Sequence, residues 1–544
     1  MNKTKMLAAQ AMVRCLEEEG IDIIFGYPGA VICPFYDSLS QSKIRHILVR
    51  QEQNAGHAAS GYARETGKPG VCVVTSGPGA TNLITAVATA YADSVPMIAI
   101  TGQVSTKLLG RDVFQEVDIT GSVEPFIKHS YLVKDAQEIP RIFKEAFYIA
   151  SSGRPGPVLI DCPIDVQLTE ILFSYDTPVS IRGYKPSIKG HLGQIKKVKE
   201  AIEHAKRPLI CAGGGVINAR ACDELLALVE KCEIPVITTM MGIGSISSKH
   251  PLYYGMLGTH GMKTANYAIQ NSDLLILLGA RVSDRAIAVP SMLEKNNTII
   301  HIDVDPAEIG KNVGVKIPVV GDAKAILSQM LEVLPSQKRP DWLHDLNRLR
   351  HESFRPFRKR NGTVNPKAFM SLLSQKAPDE TTVVADVGQN QIWTANHFQI
   401  ENGKFITTGG MGTMGYAIPA AIGAKLASEK KEVIAVCGDG AFQMEMMELA
   451  TLCQHQISIK IVVMKNNRLG MVREYQTVHY ADRQMAVALD GSPNFAMLAS
   501  AYGIESLTIA NDAQAENAID KMLFTSSPFL LEVIVDEKEA SLDD

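Results

Sequence analysis

Residues 432–467 read EVIAVCGDGAFQMEMMELATLCQHQISIKIVVMKNN. An apolar, β-branched run ends in Gly438-Asp439-Gly440, a helix start follows, and a second apolar run, IKIVVM, leads into Asn466-Asn467. Runs this continuous in hydrophobicity suit strands buried on both faces of a parallel sheet. The same rhythm recurs along the chain in VCVVTSGPG, VPMIAITG, PVLIDCP, PLICAGGG, IPVITT, DLLILLGA, TIIHIDVDP, TVVADVG and PFLLEVIVD. Helical patterns lie between them, including Met6 to Glu19 with Gly20 as its stop. Strands alternating with helices predict an α/β fold of doubly wound parallel sheets.

The chain has 544 residues, enough for three or more cores. Two stretches break the rhythm: 175–192, rich in Pro, Gly and Ser, and 336–366, crowded with arginine. Read as linkers, they divide the chain into modules at about 1–180, 190–335 and 365–535. VVTSGPGATN in the first module and IAVCGDGAFQ in the third share a strand, a Gly-x-Gly-Ala turn and a helix start, which permits a duplicated topology. The basic cluster Arg348, Arg350, Arg355, Arg358, Lys359 and Arg360 reads as solvated linker surface, since no aromatic platform accompanies it. A net charge of −4 argues against a general nucleic-acid binder. Nine scattered cysteines without a CxxC pair point to reduced thiols and a cytoplasmic setting. The acidic N-terminal segment is unlike a signal peptide, and no apolar run approaches the ~20 residues of a membrane span.

The sharpest chemical signal is Gly438-Asp439-Gly440 with Asn466-Asn467. Asp439 and Asn466 stand 27 residues apart, the spacing of a thiamine-diphosphate motif. A diphosphate needs close backbone N–H groups, which glycines allow, and a divalent cation to neutralise it. Mg2+ prefers hard oxygen ligands in octahedral geometry, which an Asp carboxylate, an Asn amide oxygen and a backbone carbonyl supply. Asp439 and Asn466 are the expected side-chain ligands and Arg468 the carbonyl donor. Neither SGPGATN nor CGDGAF completes a G-x-G-x-x-G dinucleotide fingerprint. Glu52, in ILVRQEQNAGHAASGYAR, is the candidate carboxyl for the N1′ atom of the aminopyrimidine, where it favours the imino tautomer that deprotonates thiazolium C2.

RQEQNAGHAASGYAR, TSGPGATN, GGMGTMGYAIPAAIGA and GDGAFQM…KNNRLGMV together resemble the large catalytic subunits of acetohydroxyacid synthase (acetolactate synthase), over about residues 5–535. The resemblance implies pyrimidine-binding, central FAD-binding and diphosphate-binding α/β domains, in that order. It implies a homodimer or dimer of dimers, with the coenzyme between the first domain of one subunit and the third of its partner, and leaves open whether a small regulatory subunit binds. It further implies an enzyme that decarboxylates pyruvate and transfers the hydroxyethyl carbanion to pyruvate or 2-oxobutyrate, in branched-chain amino acid biosynthesis.

Carried over by position, Gly412 and Met414 contact the aminopyrimidine. Gln389, Asn390, Gly438, Gly440 and Ala441 contact the diphosphate. Gln115, Phe114 and Lys128 lie near the reacting carbonyl and its channel, and Arg285 holds the incoming carboxylate. For FAD the matching positions are Arg154, Gly213, Gly214, Gly215, Thr238, Met241, Gly258, Thr259, His260, Gly279, Arg281, Asp303 and Asp322. The segment Met471 to Ala488 is the expected lid over the site.

Four stretches depart from the family pattern, at Ala30 and Val31, Ile164, Val282 and Ser283, and Tyr475. GYPGAV replaces GYPGGA, placing Val31 beside the substrate, and RVSDR replaces RFDDR. Ile164 replaces a lysine. Tyr475 stands where a tryptophan associated with preference for 2-oxobutyrate is usual, so pocket volume and polarity both change. A related carboligase with another acceptor, or a non-catalytic cofactor-binding paralogue, remains an alternative at this level.

Overall fold

Both faces of the apolar runs are buried because helices cover the sheets they form. Gly70–Val74, Met97–Gln103 and Pro157–Pro163 are buried at every position. The computed structural model describes residues 4–542 apart from 177, 288–292, 296, 354–355 and 358–361. Three six-stranded sheets, all parallel, make up the three α/β domains.

Edge to edge, the first sheet is Arg45–Leu48, Ile23–Tyr27, Gly70–Val74, Met97–Gln103, Pro157–Pro163 and His129–Leu132. The third is Lys404–Ile406, Thr382–Ala385, Val433–Gly438, Lys460–Lys465, Phe529–Ile534 and Glu505–Ile509. Counted along the chain within each sheet, both run 2-1-3-4-6-5. The likeness of VVTSGPGATN to IAVCGDGAFQ therefore has a structural basis: each is the third strand of its sheet and the helix that follows it. The central sheet is Tyr253–Met256, Val236–Thr238, Pro208–Ala212, Leu274–Leu278, Thr298–Asp303 and Ile317–Val320, a 3-2-1-4-5-6 order. In each sheet the order reverses beside the first strand, and ligands of open α/β sheets bind in the crevice at the carboxyl ends there.

The first domain is tied at both ends by Thr4–Leu7, which pairs antiparallel with Glu170–Phe173. The helix expected from Met6 runs Ala8–Glu18, and Gly20 follows with a positive φ of 72°. Residues 174–191 contain no described helix or strand, as a linker should. The second expected linker behaves differently. It contains helix Pro340–Ser353, whose Trp342 and Leu346, four residues apart on one face, are buried against Leu275 and Ile299 of the central domain. Trp342 Nε1 donates to Pro208 O at 3.0 Å. Arg350 is drawn into that contact, donating to Tyr253 O and lying 4.1 Å from the centre of the Tyr254 ring. Arg355, Arg358, Lys359 and Arg360 lie outside the described residues.

Helix Glu52–Thr66 of the first domain packs on Ala417–Ala427 of the third within one apolar cluster. Only glycine permits this approach. A Cβ on Gly61 would lie 1.9 Å from Ala420 O, and one on Gly423 would lie 1.9 Å from Ala58 O. Residues 409–416, which carry Gly412 and Met414, lead into the second of these helices. Among the described residues no helix is long and apolar enough to cross a membrane.

Candidate active site

At the crevice of the third sheet, strand Val433–Gly438 ends at the Gly438 position and Asp439 opens the next helix. The Asp439 carboxylate is buried and accepts three backbone N–H groups, from Gly440 (2.9 Å), Asn466 (3.1 Å) and Asn467 (2.6 Å). The 27-residue spacing thus closes in space, because Val433–Gly438 and Lys460–Lys465 are adjacent parallel strands. Burial pushes the Asp439 carboxyl up to about 6. Among the described residues no Lys or Arg forms an ion pair with it. Asn466 Nδ2 donates to Gln389 Oε1 at 3.1 Å, and its Oδ1 accepts the Arg468 N–H at 3.0 Å. Asn467 takes a left-handed conformation, φ 52°, which turns the chain back across Asp439.

Gln389 opens the helix after the first strand of this sheet, so it faces the same crevice. Asn390 is buried one residue on, and its Nδ2 donates downward to Asp386 O (2.8 Å) and Val436 O (3.2 Å). Its amide hydrogens are thus occupied beneath the crevice. Gly412 has φ 70°, and a Cβ there would meet no atom within 4 Å, so the 409–416 loop leaves open space. The Met414 methyl lies 3.4 Å from where a Gly440 Cβ would be, so Met414 stands over the Asp439 turn beside Ala441. A buried carboxylate bonded to the backbone of an Asn whose side chain carries a further hard oxygen, flanked by glycines at a helix start, fits a cation-bound diphosphate.

The first domain brings Glu52, Gln115 and Val31 to its own crevice, but not Lys128. Glu52 opens its helix and accepts Asn82 Nδ2 at 3.0 Å. Gly77, with φ 57°, turns tightly enough that a Cβ would lie 2.9 Å from Gln115 Cα, and Gln115 itself has φ 59°. Phe114 beside it is 86% exposed, an apolar ring with little of this chain around it. Val31 packs on Gly102, and its carbonyl accepts Gln167 Nε2 at 2.9 Å. Lys128 is turned elsewhere: its ammonium donates to Ile149 O, to Ser152 O (2.8 Å) and to Tyr184 OH (3.1 Å), fastening the 174–191 connection. Burial pulls its pKa down to about 8.

The central crevice is built from Gly213–Gly215 and Gly279, on the neighbouring strands where the order reverses. Gly215 N donates to Gly279 O at 2.9 Å, and a Cβ on Gly215 would lie 2.7 Å from Gly279 Cα. Thr238 Oγ1 meets the Tyr253 hydroxyl at 3.2 Å, and Met241 packs on Gly214 and on Gly409 of the third domain. Gly258 seats Arg285 O, whose carbonyl accepts Thr259 N at 3.0 Å, while the Arg285 residue is exposed. His260 O accepts Asn396 Nδ2 at 2.9 Å, and Arg281 Nη2 lies 2.9 Å from where a Gly410 Cβ would be. Three acid and arginine positions have partners within the chain. Asp322 caps helix Ala323–Val333 through Ala325 N at 3.0 Å. Asp303, pushed up to about 6 by burial, accepts Asp305 N at 2.9 Å. Arg154 bridges to Glu308 at 2.9 Å and Asp305 at 3.3 Å.

Glu52 and Asp439 share no hydrogen bond or ion pair among the described residues; each faces the crevice of its own domain. Tyr475, 55% exposed on helix Gly470–His479, stacks obliquely on His479 with centroids 4.3 Å apart. The segment after this helix returns to the site through Leu469 N→Val487 O (2.8 Å) and Leu489 N→Asn467 O (2.9 Å). The sequence reading missed the C-terminal segment. Glu539 O accepts Gln389 Nε2 (2.7 Å) and Arg473 Nη2 (2.8 Å), Ala540 O accepts Trp393 Nε1 (3.0 Å), and Glu537 pairs with Arg468 at 2.8 Å.

Family comparison agrees with this layout. Residues 6–122 match the thiamine pyrophosphate enzyme N-terminal TPP binding domain, 195–330 the central domain, and 386–533 the C-terminal TPP binding domain. A probable acetolactate synthase large subunit from Methanococcus aeolicus is 45% identical, covering 98% of this chain and 93% of the relative. An acetolactate synthase from Arthrospira platensis is 43% identical over 98% and 95%, and the acetolactate synthase large subunit of Lactococcus lactis subsp. lactis 41% over 98% and 93%. The chain therefore belongs to the thiamine pyrophosphate enzymes, in the family of acetolactate synthase large subunits.

Proposed function

We propose that this chain catalyses acetolactate synthesis through Glu52, supplied by one copy, and the Asp439–Asn466 turn, supplied by another. The observation that carries the reading is the buried Asp439 carboxylate, lying beside Asn466 at the switch point of the third sheet and forming no ion pair among the described residues. Asp439, Asn466 and the Arg468 carbonyl would hold Mg2+, and the Gly438–Ala441 turn and Gln389 the diphosphate. Thiamine diphosphate, when bound, supplies the electron sink that lets CO2 leave pyruvate. Glu52 holds a proton against N1′ of the aminopyrimidine, which Gly412 and Met414 support from the facing side. Arg285 orients the carboxylate of the second 2-oxoacid, for which a planar guanidinium is suited. Gln115, Phe114, Val31 and Tyr475 shape the acceptor pocket, and the 471–488 segment excludes water.

Because the two half-sites face separate crevices, a homodimer, or a dimer of dimers, completes each centre. The central glycines fit a dinucleotide, and FAD is typical of this family. The names of the relatives as large subunits support a small regulatory partner. Nine unpaired cysteines suit the cytoplasm. The products are 2-acetolactate from pyruvate and 2-aceto-2-hydroxybutyrate from 2-oxobutyrate, both feeding branched-chain amino acid biosynthesis.

The test is product analysis with pyruvate alone and with pyruvate and 2-oxobutyrate in competition, each with and without thiamine diphosphate and Mg2+. Acetolactate formation that depends on both additions is expected; none from pyruvate would overturn the reading. In the same competition Tyr475→Trp is expected to favour 2-oxobutyrate by about 10-fold, since one methylene in an apolar pocket is worth about 1–3 kcal/mol. An unchanged product ratio would remove Tyr475 from the acceptor pocket.

A further inference from the structure

Beneath the third crevice lies a cluster that no role above uses. Asp386 follows strand Thr382–Ala385, Cys437 lies in Val433–Gly438, and Glu445 closes helix Asp439–Glu445. All three are buried, with one oxygen or sulfur atom of each within 4.8 Å of the others. Asp386 accepts four backbone N–H groups: Val387 (2.8 Å) and Gly415 (3.1 Å) on Oδ1, Tyr416 and Ala417 (both 2.9 Å) on Oδ2. Burial raises the Asp386 carboxyl, but the four donors at the start of helix Ala417–Ala427 oppose that shift, so Asp386 is the acid of the two better held as an anion. Glu445 accepts Ile418 N (3.0 Å) and the Cys437 thiol (3.3 Å).

Among the described residues no Lys, Arg or His bonds to either acid. The other titratable neighbours, Cys437 and Tyr416, are neutral groups whose pKa values burial raises. Two anions this close without a cation are strongly disfavoured in a dry interior, so one of them keeps its proton. Burial and the adjacent Asp386 charge both push Glu445 well above the ordinary carboxyl range.

We propose that Glu445 is neutral and donates its proton to Asp386, and that this proton-sharing pair positions the 409–416 loop against the Asp439 turn. The link is direct, since Asp386 pins the loop at Gly415–Ala417 while Glu445 belongs to the helix that Asp439 begins. The inference rests on the cofactor reading above and adds two positioning residues to it.

Infrared difference spectra of cofactor-free wild type and Glu445→Gln at neutral pH read the protonation. A carboxylic-acid carbonyl band present in the wild type and lost in the variant is expected; no such lost band overturns the neutral Glu445. Titration calorimetry with thiamine diphosphate and Mg2+ reads the positioning. Glu445→Gln, which can still donate to Asp386, should bind within about threefold of wild type, whereas Glu445→Met should bind about 10- to 100-fold more weakly. Equal affinity of the Met variant, or equal weakening of both variants, overturns the positioning role. Failure of the wild type to bind removes the cofactor reading and the positioning with it, while the infrared result still decides where the proton sits.

Discussion

Replacing Glu52 by Gln is expected to lower kcat by about 100- to 10,000-fold, the range over which a positioned acid–base group contributes. Cofactor binding should change little. The amide keeps the carboxylate's shape, and its carbonyl can still accept Asn82 Nδ2 as Glu52 does at 3.0 Å. What the amide cannot do is exchange a proton with N1′ of the aminopyrimidine. The decisive readout is hydrogen–deuterium exchange at thiazolium C2, followed by NMR after acid quenching. Slow exchange in a variant that still binds the coenzyme is the expected result; wild-type exchange rates would assign Glu52 to helix-start structure alone.

Asp439→Asn is expected to abolish Mg2+-dependent binding rather than slow turnover. Outer-shell partners of a metal site typically cost about 10- to 100-fold in affinity when removed, and loss of a direct carboxylate ligand should exceed that. The substitution is also informative about pH. With burial holding the Asp439 carboxyl at about 6, protons compete with Mg2+ below that value. Apparent Mg2+ affinity of the wild type should therefore fall as pH drops through 6 and level off above it. Titration calorimetry across this range checks both statements, and pH-independent affinity would place the cation elsewhere. Asn is preferable to Ala here, because Asp439 accepts three backbone N–H groups that Ala would leave unpaired.

Much of the architecture was legible in the sequence, for identifiable reasons. Strands such as Leu274–Leu278 are buried on both faces, so their apolar runs stand out from amphipathic helices. The Asp439–Asn466 pairing was readable because a diphosphate turn demands glycine and the next parallel strand must return beside it. Sheet order was not readable, since an apolar run does not name its neighbours. Helix Pro340–Ser353 was hidden because its docking face rests on Trp342 and Leu346 while the rest is charged.

The C-terminal segment was hidden differently. Its sequence looks like a solvated tail, and several of its anchors are the backbone carbonyls of Glu539 and Ala540, which leave no mark in residue identity. Asp386 and Glu445 look like any surface acids until their burial is known. Lys128 and Asp322 show the converse limit: positions carried over from a family pattern are here engaged by carbonyls and a helix start within the chain.

The central claim is that each catalytic centre takes Glu52 from one copy and Asp439 from another. Co-expression of a Glu52→Gln chain with an Asp439→Asn chain, each carrying a different purification tag, tests it most directly in the doubly purified mixed assembly. In a mixed dimer one centre receives both substitutions and the other receives neither, so isolated mixed dimers should recover about half the wild-type activity. Activity no higher than that of either variant alone would contradict the account.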